Sequence, residues 1–315
     1  MIRFIIRRAM FSALVLLVVS ATIFALTHLV PGSPAFVVLG PDATDAQIHQ
    51  FEQQNGLDRP LVIQFLDWLQ RAVFEFDLGR SFISRLPISR EIAETLPITL
   101  EIVVIAFVFC ISVSIPLGVV SALYEDQPFD HLARIFAVLG VSIPGFWLGL
   151  MLIAYGAVKL RWFPPGGFVP WSAGMREHLR SLVLPAFALG IYYTAIISRM
   201  TRSGMIEAMQ QDYIRTARAM GLPRRRILVY ALKNALIPVI SVCAMSFGFM
   251  FGWAIIIEQV FNIAGLSRLL LSGIFQRDYY VVQAVVVVLT TLVIAINLLA
   301  DIIFGLLNPK VRELA

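Results

Sequence analysis

Six long stretches of this chain are almost free of charge: Ala9–Val30, Thr99–Leu123, Ile135–Val158, Val183–Arg199, Pro238–Phe261 and Val282–Leu306. Each approaches the roughly 20 apolar residues that a helix needs to cross the hydrocarbon core of a bilayer. A water-soluble fold must keep its surface wet, which takes about a quarter of its residues as charged ones. Here 14% are charged and 59% hydrophobic. The pattern predicts an all-α integral membrane protein of about six transmembrane helices. The first is expected to stay uncleaved. Its apolar run exceeds a signal-peptide core, and Pro31-Gly32-Ser33-Pro34 follows it instead of a small-residue cleavage site.

Short-loop arginines and lysines set orientation. Arg3, Arg7 and Arg8 place the N-terminus in the cytoplasm, and Lys310 and Arg312 place the C-terminus there too. Counting crossings puts residues 201–236 inside, where Arg202, Arg215, Arg218, Arg224, Arg225, Arg226 and Lys233 face only Glu207 and Asp212. Two loops run against the rule: Glu125, Asp126 and Asp130 make an inner loop acidic, and the outer loop Lys159–Leu182 carries four basic residues. The net charge of +5 thus reads as membrane topology, with lipid and not nucleic acid as the partner.

Between the first two spans lies an outer segment. Thr44 with Gln47 forms a capping-box pattern for a helix ending at Gly56. Pro60 suits the first turn of a second helix with an apolar stripe of Leu61, Phe65, Leu66, Leu69 and Val73. The segment is either a small cap on the membrane domain or a docking surface for an outer partner. Within the spans, Pro116, Pro144 and Pro185 interrupt helical hydrogen bonding, and Gly145/Gly149 and Gly248/Gly252 permit close helix approach.

Several chemistries are not indicated. A phosphate-cradling loop needs Lys directly after Gly, but Val158, Leu232 and Pro309 precede the three lysines. Nucleotide energy must therefore enter through another subunit. A proton-coupled carrier, the alternative of another class, places ionisable groups at mid-membrane; Glu101, Arg199, Glu258 and Asp301 lie near span ends, within snorkelling reach of water. No HExxH or GxSxG motif occurs, and His28, His49, His131 and His178, scattered through loops and span ends, are expected to be solvated or interfacial residues and not ligands. Cys110 and Cys243 sit in apolar runs as small buried hydrophobes. Neither a catalytic, a cofactor nor a metal site is expected, and the chain is not read as an enzyme.

The most informative stretch is Asp212-Tyr-Ile-Arg-Thr-Ala-Arg-Ala-Met-Gly221-Leu-Pro223. Asp212 suits an N-cap, Gly221 a left-handed C′ residue, and Pro223 blocks continuation. Met205, Met209, Tyr213, Ala217 and Met220 recur as one apolar stripe, with Arg215 and Arg218 off it. Periodicity leaves two readings open: a helix lying on anionic headgroups, or a helix presented to a groove on a cytoplasmic partner.

The pattern Arg215-Thr216-Ala217-x-x-x-Gly221 resembles the EAA loop of ABC importer permeases. It departs from it in having Arg-Thr for Glu-Ala and in delaying its proline to Pro238. That variant, with Lys233 to Pro238, is similar to the dipeptide/oligopeptide/nickel branch, first-permease type. Pro31-Gly32-Ser33-Pro34, Gly56-Leu57-Asp58-Arg59-Pro60-Leu61, Asp77-Leu78-Gly79-Arg80-Ser81, Leu96-Pro97-x-Thr99-Leu100-Glu101, Ser142-Ile143-Pro144 and Glu258-Gln259-Val260-Phe261-Asn262 extend the resemblance. Ala264 and Ser267 stand where the branch often has Pro and Gly.

The resemblance implies a type I ABC importer permease fold, with residues 1–94 as first helix plus outer segment and 95–308 as permease core. It implies a second homologous permease, two P-loop ATPases holding ATP and Mg, and an extracytoplasmic substrate-binding protein, all at a bacterial inner membrane. Di- or oligopeptides are the expected substrates, with glutathione, nickel chelates, opines and oligosaccharides as alternatives. Tyr213, Arg215, Thr216, Ala217, Arg218 and Gly221 are the expected ATPase-coupling set. Gly221→Asp or Ala217→Arg should leave insertion intact and uncouple transport. Glu101 and Glu258 either face the pathway or the docked binding protein, or are merely interfacial.

Overall fold

Inside a bilayer no water bonds the backbone, so these apolar runs must satisfy their own N–H and C=O groups as helices. A computed structural model describes residues 2–29 and 33–307; Pro31-Gly32, Lys310 and Arg312 lie outside them. The helices are α1 (Ile2–Leu29), α2 (Pro34–Leu39), α3 (Asp45–Asn55), α4 (Leu61–Gln70), α5 (Ile88–Leu123), α6 (Pro128–Ser142), α7 (Gly145–Leu152), α8 (Met175–Gln210), α9 (Asp212–Ala219), α10 (Arg224–Val260), α11 (Leu266–Phe275) and α12 (Tyr279–Leu307). Five are long and apolar enough to cross a membrane, and the bent pair α6–α7 makes a sixth if it counts as one span. Among the described residues there is no strand, only an isolated bridge between Arg80 and Pro87.

Helix boundaries extend beyond the apolar runs. The 36 residues of α5 and of α8 are each about 54 Å long at 1.5 Å per residue, well beyond a hydrocarbon core of ~30 Å. Hydropathy marks the part of a helix suited to lipid, and the polar ends simply continue the same hydrogen-bond ladder.

The third run departs from expectation. Ile135–Val158 reads as one span, but the chain bends by 99° between α6 and α7. Pro144 holds the preceding Ile143 in an extended conformation (φ −83, ψ 121) and itself caps α7. Beyond α7 the helix continues as a π-helical stretch, Ile153–Lys159.

The chain divides into two compact units. The first comprises Met1–Thr99 with Ala264–Ile294. Its α3 carries the expected capping box: Thr44 N–H donates to Gln47 Oε1 (2.9 Å) and Gln47 N–H to Thr44 Oγ1 (3.4 Å), and Gly56 closes the helix at φ +68. Pro60 is the N-cap of α4 and not in its first turn. The predicted apolar stripe is largely on the outside, with Leu61, Leu66 and Val73 exposed, while Trp68 (2% exposed) is the buried anchor. An outward apolar face is what an interfacial helix presents to a membrane surface.

The Asp77–Ser81 motif folds as a turn in this unit. Gly79 sits at φ +90 and donates its N–H to Asp77 Oδ1 (2.9 Å), and Ser81 Oγ donates to the buried Asp278 (2.6 Å). Burial pushes the Asp278 carboxyl above the usual carboxylate range, and the Ser81 hydroxyl opposes that shift. Thr99 Oγ1 accepts from Leu266 N–H (2.8 Å), tying the start of α5 to α11.

The second unit comprises Leu100–Ile263 with Ala295–Ala315. Its centre is α8, against which α6, α7 and α10 pack. Of the most apolar 18 residues of α8, 78% are buried, against 11% for α1. Glycines bring α5 against α8 backbone to backbone. A Cβ at Gly118 would lie 2.5 Å from the Ser198 carbonyl, and one at Gly190 2.9 Å from that of Ala106. The small-residue pairs of the sequence fare unevenly. Gly149 meets Val260 and Phe261, but Gly252 faces open space.

Gly118→Ala should therefore destabilise the detergent-solubilised protein by about 1–3 kcal/mol through overpacking, whereas Gly252→Ala should leave its melting temperature unchanged. Equal melting of the two variants would refute the close approach of α5 to α8.

Candidate functional site: the short helix between the two long spans

The basic segment between α8 and α10 is built from three stops and starts. Helix α8 ends at Gln210, and Gln211 turns extended (ψ 150) to become the N-cap of α9. Asp212, expected as the cap, is the first helical residue and 96% exposed at its side chain; it lies 3.7 Å from Arg215 Nη1. Its charge still favours the helix N-terminus. At the other end Gly221 takes the expected left-handed conformation (φ +72). The Gly221 N–H donates to Arg218 O (3.0 Å) and the Leu222 N–H to Ala217 O (3.1 Å), a complete Schellman closure. Pro223 then caps α10.

The expected stripe does not survive as one face. Ile214, which lay off it, is fully buried. Ala217 is 6% exposed, and both join Met205, Ala208, Ile227, Ala231 and Ala235 in one cluster. Tyr213 and Met220 are exposed, Met220 by 75%. The reason is the break at Gln211: counting every 3.6 residues from Met205 assumes one helix, and the chain makes two. Thus α9 has an inner face of Ile214 and Ala217 and an outer face of Tyr213, Arg215, Thr216, Arg218 and Met220, with Gly221 exposed beside it. Arg at position 217 would force a charge into this cluster, so Ala217→Arg should compromise folding and is no clean uncoupling variant.

Near this end of the bundle an ion pair escaped sequence reading. Arg202 on α8 grips Asp130 on α6 with both arms (Nε–Oδ1 2.6 Å, Nη2–Oδ2 2.7 Å). Ser121 Oγ donates to the same carboxylate at 2.5 Å, and the Asp126 N–H does so at 3.1 Å. Asp130 is fully buried. A separation of 72 positions hides such a pair from any local pattern. It explains the acidic loop that ran against the charge rule, because that loop and the basic end of α8 share one side of the bundle.

The other end of α8 meets Glu101 of α5. Its Oε1 accepts from Trp171 Nε1–H (2.7 Å), and its Oε2 lies 3.4 Å from His178 Nε2. His178 is fully buried, donates from Nδ1 to Val169 O (2.6 Å) and stacks on Trp171. The expectation of a solvated or interfacial histidine fails at His178, which is a core residue. Glu258 likewise is fully buried within α10, so it does not snorkel to water. Glu101 and the α9 set lie far apart along the chain and form no common site.

Residues 114–313 match the family described as binding-protein-dependent transport system inner membrane component, and residues 1–103 match its N-terminal companion. The chain belongs to this family. The permease is 42% identical over 299 residues, 95% of each chain, to a putative peptide transport system permease protein of Brucella abortus (strain 2308). It is 35% identical over 313 residues, 99% of each, to the glutathione transport system permease protein GsiC of Escherichia coli (strain K12). In fold it is similar to a chain of the MetNI methionine ABC transporter, with a TM-score of 0.56 at 20% identity over 69% of the permease and 96% of that chain. The permease is thus an importer subunit of the type I fold and a multi-pass inner-membrane protein. Its family works with an ATPase and a substrate-binding protein.

Removing one member of a buried ion pair costs about 3–5 kcal/mol, because the other charge is stranded. Asp130→Ala should lower detergent stability by that order, and Asp130→Ala with Arg202→Leu should recover most of it. A single variant as stable as the parent would show that the pair does not brace α6 on α8.

Proposed function

We propose that this permease passes di- or oligopeptides, by alternating access, through a path it shares with a second homologous permease. Two ATPase subunits, which hold ATP and Mg, drive it through α9, and an outer binding protein delivers the substrate. No covalent chemistry and no cofactor are assigned to this chain. The carrying observation is the two-sided build of α9: an inner face packed with α8 and α10 residues, and an outer face free to meet a partner. A helix clamped in this way moves with the bundle, which suits transmission of a domain motion as a rigid body.

In this reading Tyr213, Arg215, Thr216, Arg218 and Gly221 meet the ATPase, and Ala217 anchors the helix from behind. The basic end of α8 then faces the cytoplasm, with both termini inside. Glu101, tied to the loop residue Trp171 at the opposite end, belongs to the outer mouth, while the buried Glu258 supports the bundle from within. Peptide is favoured as substrate because relatives named for peptide and for glutathione, itself a tripeptide, both match across nearly the whole chain. Glutathione is the second choice.

The test is uptake of a labelled tripeptide into proteoliposomes holding the assembled importer and its binding protein. Gly221→Asp should insert normally, since a Cβ there meets nothing within 4 Å and the left-handed strain is only about 1–2 kcal/mol. Uptake by Gly221→Asp and Tyr213→Ala should fall at least about tenfold, equivalent to 1.4 kcal/mol of lost coupling. Full uptake by both variants would sink the assignment of α9, and saturable uptake of a non-peptide solute alone would sink the substrate class.

A further inference from the structure

A groove between α5, α6 and α8 is lined by three arginines, and two of them already have a carboxylate. Arg202 holds both oxygens of Asp130, and Arg134 lies 3.5 Å from both Asp126 and Asp130. The third, Arg199, is exposed and has no ion-pair partner among the described residues. It precedes Arg202 by three residues on α8, which sets it about 4.5 Å farther into the span. The acids gather at the level of Arg202 and in the exposed turn that carries Glu125 and Asp126. Arg199 is therefore left as an unmatched guanidinium at the membrane boundary.

Arg199 borders this groove of about 300 Å³ between α5, α6 and α8. The walls are mostly hydrocarbon: Leu117, Ala137, Val138, Val141 and Ala195. The floor cannot close, because Gly118 lies where α5 and α8 already touch through backbone. The groove runs on to the apolar face of α6, where Ile135, Val138 and Leu139 are exposed. A free phosphate would answer the arginine and leave this apolar channel unfilled. A plain hydrocarbon chain would fill the channel and leave the arginine bare.

We propose that this groove seats one anionic phospholipid, its phosphate on Arg199 and an acyl chain along Leu117, Val138 and Val141. A guanidinium binds a phosphate through paired N–H donors, and basic pockets between spans suit anionic headgroups. The lipid sits beside the Asp130–Arg202 brace, at the end of α8 that leads into α9, so it steadies the helix that carries the coupling segment. The inference depends on the chain spanning a bilayer and not on its substrate.

The experiment is native mass spectrometry of the full-length permease released from phosphatidylcholine nanodiscs containing a minor fraction of phosphatidylglycerol. The parent protein should retain one phosphatidylglycerol per chain. Arg199→Gln should lose about tenfold of that retention, the loss expected for one charge-assisted hydrogen-bonded contact, while Arg225→Gln, an exposed arginine outside the groove, should keep it. Retention by Arg199→Gln equal to the parent's would overturn the proposal. So would displacement of the lipid by inorganic phosphate, or cross-linking of Val138→Cys to a second permease in a lipid-free assembly.

Discussion

Ile214 and Ala217 are buried in the same cluster as Met205 of α8 and Ile227 and Ala231 of α10, and the mechanical logic of the permease depends on that contact. An eight-residue helix has little stability alone in water. It holds its shape because one face is packed and both ends are stopped, by Gln211 before it and the Gly221 closure after it. Any push on its outer face must therefore displace the ends of α8 and α10 together. From α8 the displacement spreads further, to α5 through the backbone contacts at Gly118 and Gly190 and to α6 through the Asp130–Arg202 pair. Interiors packed this closely pass strain on and do not absorb it.

The same contacts order the two ends of the bundle electrostatically. At the α9 end a buried carboxylate is matched by a two-armed arginine and a serine hydroxyl. At the opposite end Glu101 is held between a tryptophan N–H and a buried histidine edge. Neither cluster lies among the apolar side chains at mid-span. A bundle with its charges at its ends can rock without dragging an unpaired charge through hydrocarbon.

Much of this was legible in the sequence where the cause is local. Thr44 with Gln47 predicts the capping box, Gly221 the left-handed stop, and the uncharged runs the spans, because each depends on residues a few positions apart. Where the cause is non-local the reading failed. The stripe from Met205 to Met220 assumed one continuous helix, and the extended Gln211 rotates everything after it, exchanging Tyr213 for Ile214 on the buried face. The Ile135–Val158 run hid a 99° bend, since hydropathy has no direction; Pro144 was its only mark. His178 and Glu258 lie near span ends, which in a sequence gives position but no neighbours, and both are in the core. The close backbone approaches at Gly118 and Gly190 fall outside the Gly145/Gly149 and Gly248/Gly252 pairs, whereas a Cβ at Gly252 would meet nothing within 4 Å.

The most direct test of the central claim, that α9 is where an energy-supplying partner engages, is to purify the tagged permease from its native membrane and identify by mass spectrometry what accompanies it. The account predicts a second six-span permease and P-loop ATPases with the parent chain, and the ATPases alone missing from Gly221→Asp. A chain that purifies alone and stable, or a Gly221→Asp variant that still brings its ATPases, would contradict it.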